Sequence, residues 1–289
     1  MSAEVIYGSE LAQSMRDEMK EEVVKLREQG IVPGLTVILI GEDPASKSYV
    51  RGKQKASDYV GGVDSDLMTL PESTTEEELL SLIKKLNEQE TVHGILVQLP
   101  LPKHINEEKI IEAISPEKDV DGFHPINIGR MMTGKDTFFP CTPFGIIQML
   151  KSKNIEIAGK HAVVIGRSNI VGKPVGQLLL NENATVTYCH SKTNNMKDYI
   201  ASADILIVAV GIEHFINGDF IKEGAVVIDV GVNRTAEGTL TGDVNFDSAK
   251  EKASYITPVP KGGVGPMTIT MLLHNTIKSA KIAHGVYNG

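Results

Sequence analysis

The sequence predicts an α/β protein of two domains, each built on a parallel sheet. Apolar strand-like segments alternate with helix-period segments along nearly the whole chain, which is typical of parallel sheets covered by helices. A loop-rich stretch from Pro116 to Pro143 separates two such series. The length of 289 residues is sufficient for two domains of ordinary size, each with its own core.

The first series begins with a helix-period stretch from Glu10 to Gln29, which ends at Gly30. The segment "LTVILIG" then indicates a buried strand, and its loop leads through Pro44 into a polar segment that contains Tyr49. A short strand is predicted near "DLMTL". These segments predict the first strands and helices of the amino-terminal domain.

The next helix, "TEEELLSLIKKLNEQ", is predicted to begin with a capping box formed by Thr74 and Glu77. The strand "GILVQLPLP" follows, and Pro100 and Pro102 end its sheet pairing. Gln98 is therefore expected near the carboxyl end of this strand, where open α/β sheets bind their ligands.

The second series predicts strands at "HAVVIG", "TVTYCH", "DILIVAVG" and "AVVIDVG", which resembles a nucleotide-binding half of a doubly wound, Rossmann-like fold. We place the domain boundary near residue 140, with one domain at 1–140 and the other at 141–265. The last segment, about 266–289, predicts a long amphipathic helix that could pack back onto the first domain.

Composition and charge limit the classes of function. No apolar run approaches the roughly 20 residues that span a bilayer. A net charge of −8 argues against nucleic acid as a partner. The first residues lack a basic region followed by an apolar stretch, so a cytoplasmic enzyme or binding protein is expected. Cys141 and Cys189 lack metal-ligand spacing, so neither a disulfide framework nor a metal site is predicted.

A glycine-rich turn follows the first strand of the second series. In "VVIGRSNIVGKPVG" the glycines are Gly166, Gly172 and Gly176, and a helix is expected to follow. Backbone N–H groups and the helix dipole could hold a pyrophosphate there, with Gly166, Arg167 and Ser168 in contact. The spacing departs from the strict dinucleotide fingerprint, so a tight turn without a ligand is the alternative.

The end of the next strand favours NADP over NAD. NAD enzymes usually place a carboxylate there, whereas "CHSKT" supplies His190, Ser191 and Lys192. A hydroxyl with nearby cations, including Arg167, suits a 2′-phosphate. Taken singly, His190 and Lys192 could equally be solvated loop residues.

Tyr49 and Lys53 are four residues apart, so on a helix their side chains share one face. The same spacing marks short-chain dehydrogenases, but there it lies well after the glycine turn, and here it lies far before it. This order excludes the short-chain interpretation. A coincidence on a solvated helix face and a site lysine that faces the cofactor domain both remain open.

Several separated motifs, in order along nearly the whole chain, resemble the bifunctional methylenetetrahydrofolate dehydrogenase/methenyltetrahydrofolate cyclohydrolase family. They are "SYVRGK", "VQLPLP", "KDVDGFHP", "GRSNIVGKP", "CHSKT", "DVGVN" and "TPVPKGGVGPMT". The resemblance implies an active-site cleft between the two domains, tetrahydrofolate derivatives as substrates, NADP as cofactor, no metal, and a homodimer.

The resemblance also implies roles for individual residues. Tyr49 is expected to stack on the aminobenzoyl ring of the folate, Lys53 to handle protons and Gln98 to orient Lys53. Asp121 is expected to bind the pterin, and a carboxylate can indeed accept two parallel hydrogen bonds from an aminopyrimidinone. An Asx turn before Gly122 is the alternative role for an aspartate here and stays open for Asp119.

Further substrate and cofactor contacts follow from the same resemblance. Val232 is expected at the nicotinamide ribose, and Val97 and Leu99 beside the folate. The family usually has one residue fewer in its "PVPGGVGP" segment, so Lys261 stands as an inserted residue. The backbone of this loop is expected to approach the folate at five positions: Pro260, Gly262, Gly263, Val264 and Gly265.

The implied reaction is oxidation of 5,10-methylenetetrahydrofolate with NADP, followed by hydrolysis of the methenyl cation to 10-formyltetrahydrofolate. A dehydrogenase without cyclohydrolase activity is the nearest alternative. A shikimate- or amino-acid-type dehydrogenase would not require "VQLPLP" and "DVDGF" together. A non-catalytic NADP- or folate-binding protein is a further alternative, which the complete set of Tyr49, Lys53, Gln98 and Asp121 disfavours.

Overall fold

The structure, a computed structural model, describes residues 2–288. Helices and strands alternate along much of this length, as predicted, although three helices follow one another between residues 107 and 152, partly within the stretch predicted to be loop-rich. The α-helices are α1 (Gly8–Glu28), α2 (Pro44–Val60), α3 (Glu76–Glu88), α4 (Glu107–Ala113), α5 (Pro125–Met132), α6 (Cys141–Ser152), α7 (Gly172–Asn181), α8 (Met196–Ser202), α9 (Phe246–Lys250) and α10 (Gly265–Ala283). The strands are β1 (Glu4–Val5), β2 (Gly34–Ile40), β3 (Asp64–Leu70), β4 (Gly94–Val97), β5 (His161–Ile165), β6 (Thr185–Cys189), β7 (Ile205–Val208), β8 (Val226–Asp229), β9 (Asn233–Arg234), β10 (Leu240–Thr241) and β11 (Tyr255–Ile256).

The chain divides into two compact units. Unit 1 consists of Met1–Gln13 and Thr142–Thr268, and unit 2 of Ser14–Cys141 and Ile269–Gly289. The divisions fall inside α1, after Cys141 and inside α10. The amino-terminal strand therefore belongs with the later βα series, and most of the last helix belongs with the earlier one.

Unit 1 contains a parallel sheet in the order β1-β11-β8-β7-β5-β6. Its central strands read as continuous apolar runs because helices cover both faces of such a sheet, and β7 and β8 are buried at every position. The register pairs Ile165 with Val208, and Val208 with Asp229. Three neighbouring strands therefore end at one edge, where doubly wound folds bind nucleotides.

Unit 2 contains a smaller parallel sheet in the order β3-β2-β4. Every residue of β2 and β4 is buried, and α3 and α4 contribute to the apolar cluster against them. Val97 pairs with Ile38, and Gln98 follows directly, its N–H donating to the Ile38 carbonyl at 2.9 Å. The predicted position of Gln98 at a strand carboxyl end is confirmed.

The predicted capping box of α3 is wrong by one residue. Thr75, not Thr74, is the N-cap, and its hydroxyl accepts from the Glu78 N–H while the Glu78 carboxylate accepts from the Thr75 N–H. Thr74 instead donates its hydroxyl to the Pro71 carbonyl at 2.7 Å. Two adjacent threonines precede three consecutive glutamates, so the capping pattern fits in either of two registers. The turn after Pro71 uses the Thr74 hydroxyl and leaves Thr75 as the N-cap.

His93, at the start of β4, is a buried histidine whose neutral form the fold requires. Its Nδ1 accepts from the Gly34 N–H at 3.0 Å, so the ring proton lies on Nε2, which has no partner among residues 2–288. Burial, together with smaller effects of the nearby His284 and Lys118, lowers the pKa of His93 to about 4. A protonated ring at this position would be an unpaired buried cation.

We expect unit 2 to lose stability as the pH falls from about 6.5 to about 4, because the unfolded chain binds a proton on His93 in that range and the folded chain does not. The His93→Asn variant retains an acceptor for Gly34 and removes the titrating group, so its free energy of unfolding should depend less steeply on pH. Urea denaturation at several pH values measures both slopes. Equal slopes in the two proteins would contradict the assignment.

No helix within residues 2–288 is long and apolar enough to cross a membrane.

Candidate active site

Helix α2 places Tyr49 and Lys53 in unit 2. The side chain of Asp43 caps the helix by accepting from the Ser46 N–H at 2.7 Å, and Pro44 occupies the first turn, where its missing N–H costs nothing. Tyr49 and Lys53 lie one turn apart on the same face, as predicted. Their environments differ, since Tyr49 is 43% exposed and Lys53 only 7%.

Lys53 is held by Gln98. The Nζ of Lys53 donates to Gln98 Oε1 at 2.9 Å, and Gln98 Nε2 donates to the Leu99 carbonyl at 2.8 Å. The second bond fixes the orientation of the amide, because a reversed amide would face one donor with another. The end of β4 therefore presents a carbonyl oxygen to the lysine, which is the orienting role predicted for Gln98.

The charge of Lys53 is disfavoured by its surroundings. Burial lowers the pKa of Lys53, and the attraction of Asp121 opposes part of this decrease. Asp121 and Lys53 therefore belong to one electrostatic cluster in unit 2. A lysine with a lowered pKa is a better base near neutral pH than an exposed lysine.

Asp119 shapes the loop that carries Asp121. Its carboxylate is buried and accepts from the backbone N–H groups of Gly122, Phe123 and His124 at 3.2, 3.2 and 2.8 Å. It also accepts from Asn127 Nδ2 at 2.8 Å. The Asx-turn role left open for Asp119 is thus what the structure shows.

Gly122 completes this turn because its backbone lies at φ +79°, and a Cβ there would lie 2.5 Å from the Phe139 carbonyl carbon. With Asp119 used inside the loop, Asp121 remains the carboxylate available to a ligand. Asp121 is half-buried and lines a small pocket together with Val97, Leu99 and Phe123.

Cys141 contacts the same cluster. Its thiol donates to the Val120 carbonyl at 3.3 Å, and Asn275 Nδ2 donates to that carbonyl at 2.9 Å and to the Phe139 carbonyl at 3.1 Å. Burial raises the pKa of Asp121, and the nearby charge of Lys53 opposes part of this increase. Burial and Asp121 raise the pKa of Cys141 well above its usual value, so the thiol stays neutral.

The glycine turn of unit 1 has the close approach that a nucleotide site needs. Gly166 lies at φ +119°, and a Cβ there would lie 2.3 Å from the Ala209 carbonyl oxygen. A Cβ on Gly172 would lie 2.5 Å from the Gly166 carbonyl oxygen. The backbone therefore folds tightly between the end of β5 and the start of α7, with room only for glycine at these two positions.

The polar residues around this turn fit NADP. Ser168 Oγ accepts from the Val171 and Gly172 N–H groups at 3.2 Å each, so its hydroxyl holds the start of α7. Arg167 and Ser191 are exposed, and neither makes a hydrogen bond or ion pair with another of residues 2–288. A guanidinium and a hydroxyl whose hydrogen-bonding groups are unused suit a phosphate.

Two further loops of unit 1 carry predicted site residues. Val232 follows β8 and is 52% exposed. In the loop before α10, Lys261 is exposed, while the Gly262 carbonyl accepts from the Ser9 N–H at 3.1 Å. A Cβ on Gly263 would lie 2.1 Å from the Pro258 carbonyl oxygen. The glycines of this loop are thus closely packed, whereas Pro260 and Lys261 are exposed.

Unit 2 brings Lys53, Gln98, Asp121, Val97 and Leu99 together, and Tyr49 lies one turn from Lys53. The remaining predicted residues belong to unit 1: Gly166, Arg167, Ser168, Ser191, Val232, Pro260, Gly262, Gly263, Val264 and Gly265. Within the part of the chain that the structure describes, no group of three His, Cys, Asp or Glu side chains could hold a metal ion.

The sequence interpretation missed Cys141 and Asn275. Both thiols are free and fully buried, and Cys141 lies beside Asp121 and Lys53. A single cysteine carries no spacing signal. Asn275 lies on α10, more than a hundred residues from its partners, so only the fold could reveal it.

Family models match both parts of the chain. The catalytic-domain model of tetrahydrofolate dehydrogenase/cyclohydrolase matches residues 6–121, and the NAD(P)-binding-domain model matches residues 140–284. The "Bifunctional protein FolD" of Bacillus anthracis is 68% identical over 283 residues, covering 98% of each chain. The "Bifunctional protein FolD" of Bacillus cereus has the same identity and coverage.

Solved structures agree with these matches. The bifunctional dehydrogenase/cyclohydrolase of Campylobacter jejuni is 49% identical with a TM-score of 0.95, covering 97% of this chain and 99% of that one. The Trypanosoma brucei enzyme, solved with NADP and an inhibitor, is 41% identical with a TM-score of 0.93, covering 98% and 99%. Shikimate dehydrogenase of Thermus thermophilus, 15% identical with a TM-score of 0.54 over 88% and 95%, shares the fold alone.

Proposed function

The chain belongs to the tetrahydrofolate dehydrogenase/cyclohydrolase family, and we propose that Lys53, oriented by Gln98, moves the protons of its hydrolytic step. The enzyme oxidises 5,10-methylenetetrahydrofolate to the methenyl cation and hydrolyses that cation to 10-formyltetrahydrofolate. NADP is its cofactor and, when bound, accepts the hydride. The alternatives of a monofunctional dehydrogenase and of a non-catalytic binding protein have no support in these relatives.

The buried Lys53–Gln98 hydrogen bond is the observation that carries the proposal. Water that adds to the methenyl carbon must lose a proton, and the ring nitrogen must gain one before its bond to that carbon breaks. A lysine with a lowered pKa can accept the first proton and donate the second. Gln98 accepts a hydrogen bond from one N–H of the lysine. The other positions on Nζ are thereby directed away from the strand.

We propose that Asp121 and Tyr49 hold the two ends of the folate within unit 2. Asp121 is expected to accept hydrogen bonds from the amino and ring N–H groups of the pterin. These bonds would replace part of the hydration that the carboxylate loses when it is buried. Tyr49 presents an exposed ring on the face of α2 that carries Lys53, which suits stacking on the aminobenzoyl group. Val97 and Leu99 supply apolar surface beside Asp121.

For unit 1 we propose dinucleotide binding at the Gly166 turn, with Val232 at the nicotinamide ribose. Arg167 and Ser191 would bind the 2′-phosphate. The backbone of the loop from Pro260 to Gly265 would approach the folate.

The most direct test of the overall function follows NADPH and methenyl-folate together in the purified protein. We expect NADPH to form with a transient or absent methenyl signal, and added methenyltetrahydrofolate to be hydrolysed without NADP. NADPH formation with stoichiometric, persistent methenyl-folate would indicate a dehydrogenase alone. No turnover of either substrate would indicate a binding protein.

The Arg167→Ala variant tests the proposed 2′-phosphate contact. Hydrogen bonds to charged groups contribute about 1.5–3 kcal/mol, so the KM for NADP should rise about tenfold or more while activity with NAD stays nearly unchanged. Lys222→Ala removes a cation at the opposite edge of the same sheet, paired with Asp204, and should change neither. Equal losses with NADP and NAD would refute the contact.

We further propose that the enzyme functions as a homodimer in the cytoplasm. The family resemblance supports the first statement, and the two buried free cysteines are typical of a reducing compartment. Light scattering should give about twice the chain mass of 31.3 kDa. A monomer mass at working concentration would contradict the dimer.

A further inference from the structure

Unit 1 contains two buried carboxylates that the reaction does not use directly. Asp229 ends β8, and Asp243 follows β10; they are 4% and 0% exposed. Among residues 2–288 neither one forms an ion pair with a lysine, arginine or histidine. Burying such groups is costly unless their oxygens accept hydrogen bonds, so their bonding partners indicate what they hold.

Asp243 joins the loops that follow β7 and β8. Its Oδ2 accepts from the N–H groups of Val210 and Gly211 at 2.7 and 3.0 Å. Its Oδ1 accepts from the Ile212 N–H at 2.9 Å and from Asn233 Nδ2 at 2.8 Å. Only a carboxylate offers acceptors for four donors in this arrangement.

Asp229 holds Asp243 in place. Its Oδ1 accepts from the N–H groups of Gly231 and Asp243 at 3.0 Å each, and its Oδ2 accepts from the Val244 N–H at 2.9 Å. The two carboxylates also require glycine beside them. A Cβ on Gly231 would lie 2.0 Å from Asp243 Cγ, and one on Gly242 would lie 1.9 Å from Asp229 Oδ2.

The position of these loops follows from the strand order. The neighbours along the sheet are β6, β5, β7 and β8. The residues proposed for the 2′-phosphate follow β6, and the glycine turn for the pyrophosphate follows β5. A dinucleotide that crosses the carboxyl edge in this direction places its other nucleotide over the ends of β7 and β8.

We infer that Asp243 is a positioning residue for the nicotinamide half of NADP. Its four hydrogen bonds fix residues 210–212 and Asn233 against each other, and Asn233 adjoins Val232. The inference rests on the proposed cofactor site and deepens it. Asp243 touches no reacting atom in this account, and its effect passes through the two loops.

The Asp243→Asn variant tests this inference. An asparagine of the same shape turns an NH₂ group toward two N–H donors, so both loops should lose their fixed geometry. The Kd of NADPH, measured by fluorescence titration, should rise about tenfold or more, since hydrogen bonds to a charged acceptor are lost. Dehydrogenase activity should fall with it.

Two readouts separate positioning from general damage to unit 1. The Kd of 2′,5′-ADP, which lacks the nicotinamide half, should stay within about twofold of the wild type. Hydrolysis of added methenyltetrahydrofolate, which needs no cofactor, should likewise be retained. Asp204→Asn is a matched control at the amino edge of the sheet, where Asp204 accepts from the His161 N–H, and should leave all three quantities unchanged.

A parallel loss of 2′,5′-ADP and NADPH affinity, or of both activities, would overturn the inference, as would unchanged NADPH affinity. If Asp243→Asn fails to fold, Asn233→Ala removes one of the four donors and should show the same selective pattern at smaller size; equal losses for both ligands would again overturn it. The binding measurements need no turnover. A wild type without either activity would instead contradict the proposed function.

Discussion

Replacing Lys53 with methionine is expected to abolish the cyclohydrolase activity while measurable hydride transfer remains. Hydride departure is driven by a nitrogen lone pair of the substrate and needs no proton carrier. Water addition needs one, and general acid–base catalysis commonly contributes about 10²–10⁴-fold. In the coupled assay, methenyl-folate should therefore accumulate as NADPH forms.

Methionine suits this experiment because it fills much of the buried space of the lysine stem without its charge. Lys55→Met is the matched control, since Lys55 is exposed on the same helix and should leave both activities unchanged. If Lys53→Met lowers both activities by the same factor while NADP binding is intact, Lys53 positions the substrate and does not carry protons.

Replacing Asp121 with asparagine is expected to damage folate binding in both activities. The amide turns a donor toward the pterin N–H groups, and loss of a charged hydrogen bond costs about 1.5–3 kcal/mol, or roughly tenfold to a hundredfold in the KM for folate. NADP affinity should be unchanged. Steady-state kinetics with each folate substrate in turn measures the effect.

Asp119 provides the contrast, because it lies two residues away and is bound wholly within its loop. In Asp119→Asn one carboxylate oxygen becomes an NH₂ group, so the backbone donors and the Asn127 amide have one acceptor fewer. The main effect should be a free energy of unfolding that is lower by about 1–3 kcal/mol. Unchanged folate kinetics in Asp121→Asn would refute the pterin assignment. Unchanged stability in Asp119→Asn would contradict the role described for that carboxylate.

Local sequence patterns were sufficient for the elements that carry the site. The prolines after β4 predicted that Gln98 lies at a strand end, and this feature arises from short-range backbone preferences. The spacing of Tyr49 and Lys53 placed them on one face but left open whether that face is buried. Burial of Lys53 depends on the packing of unit 2; the family motifs indicated a proton-handling role for Lys53 and not its burial.

Contacts between distant segments lay beyond such patterns. Asn275 donates to Val120 and Phe139 across more than a hundred residues, and Cys141 reaches Asp121 through the same close packing. The "DVGVN" motif marked Asp229, yet its partner Asp243 follows a separate turn whose fold no periodicity encodes. Even the local cap of α3 was assigned one residue early, because a single turn decides between two adjacent threonines.

We propose that burial makes Lys53 a proton carrier. Titration of the Lys53 ammonium group is the measurement that tests this proposal. NMR of protein labelled at lysine side chains, with the Lys53 signal identified by its loss in Lys53→Met, reports the pKa of each ammonium group. We expect Lys53 to titrate below the ordinary range of a lysine, because burial outweighs the attraction of Asp121. Titration of Lys53 together with the exposed lysines, or above them, would contradict it.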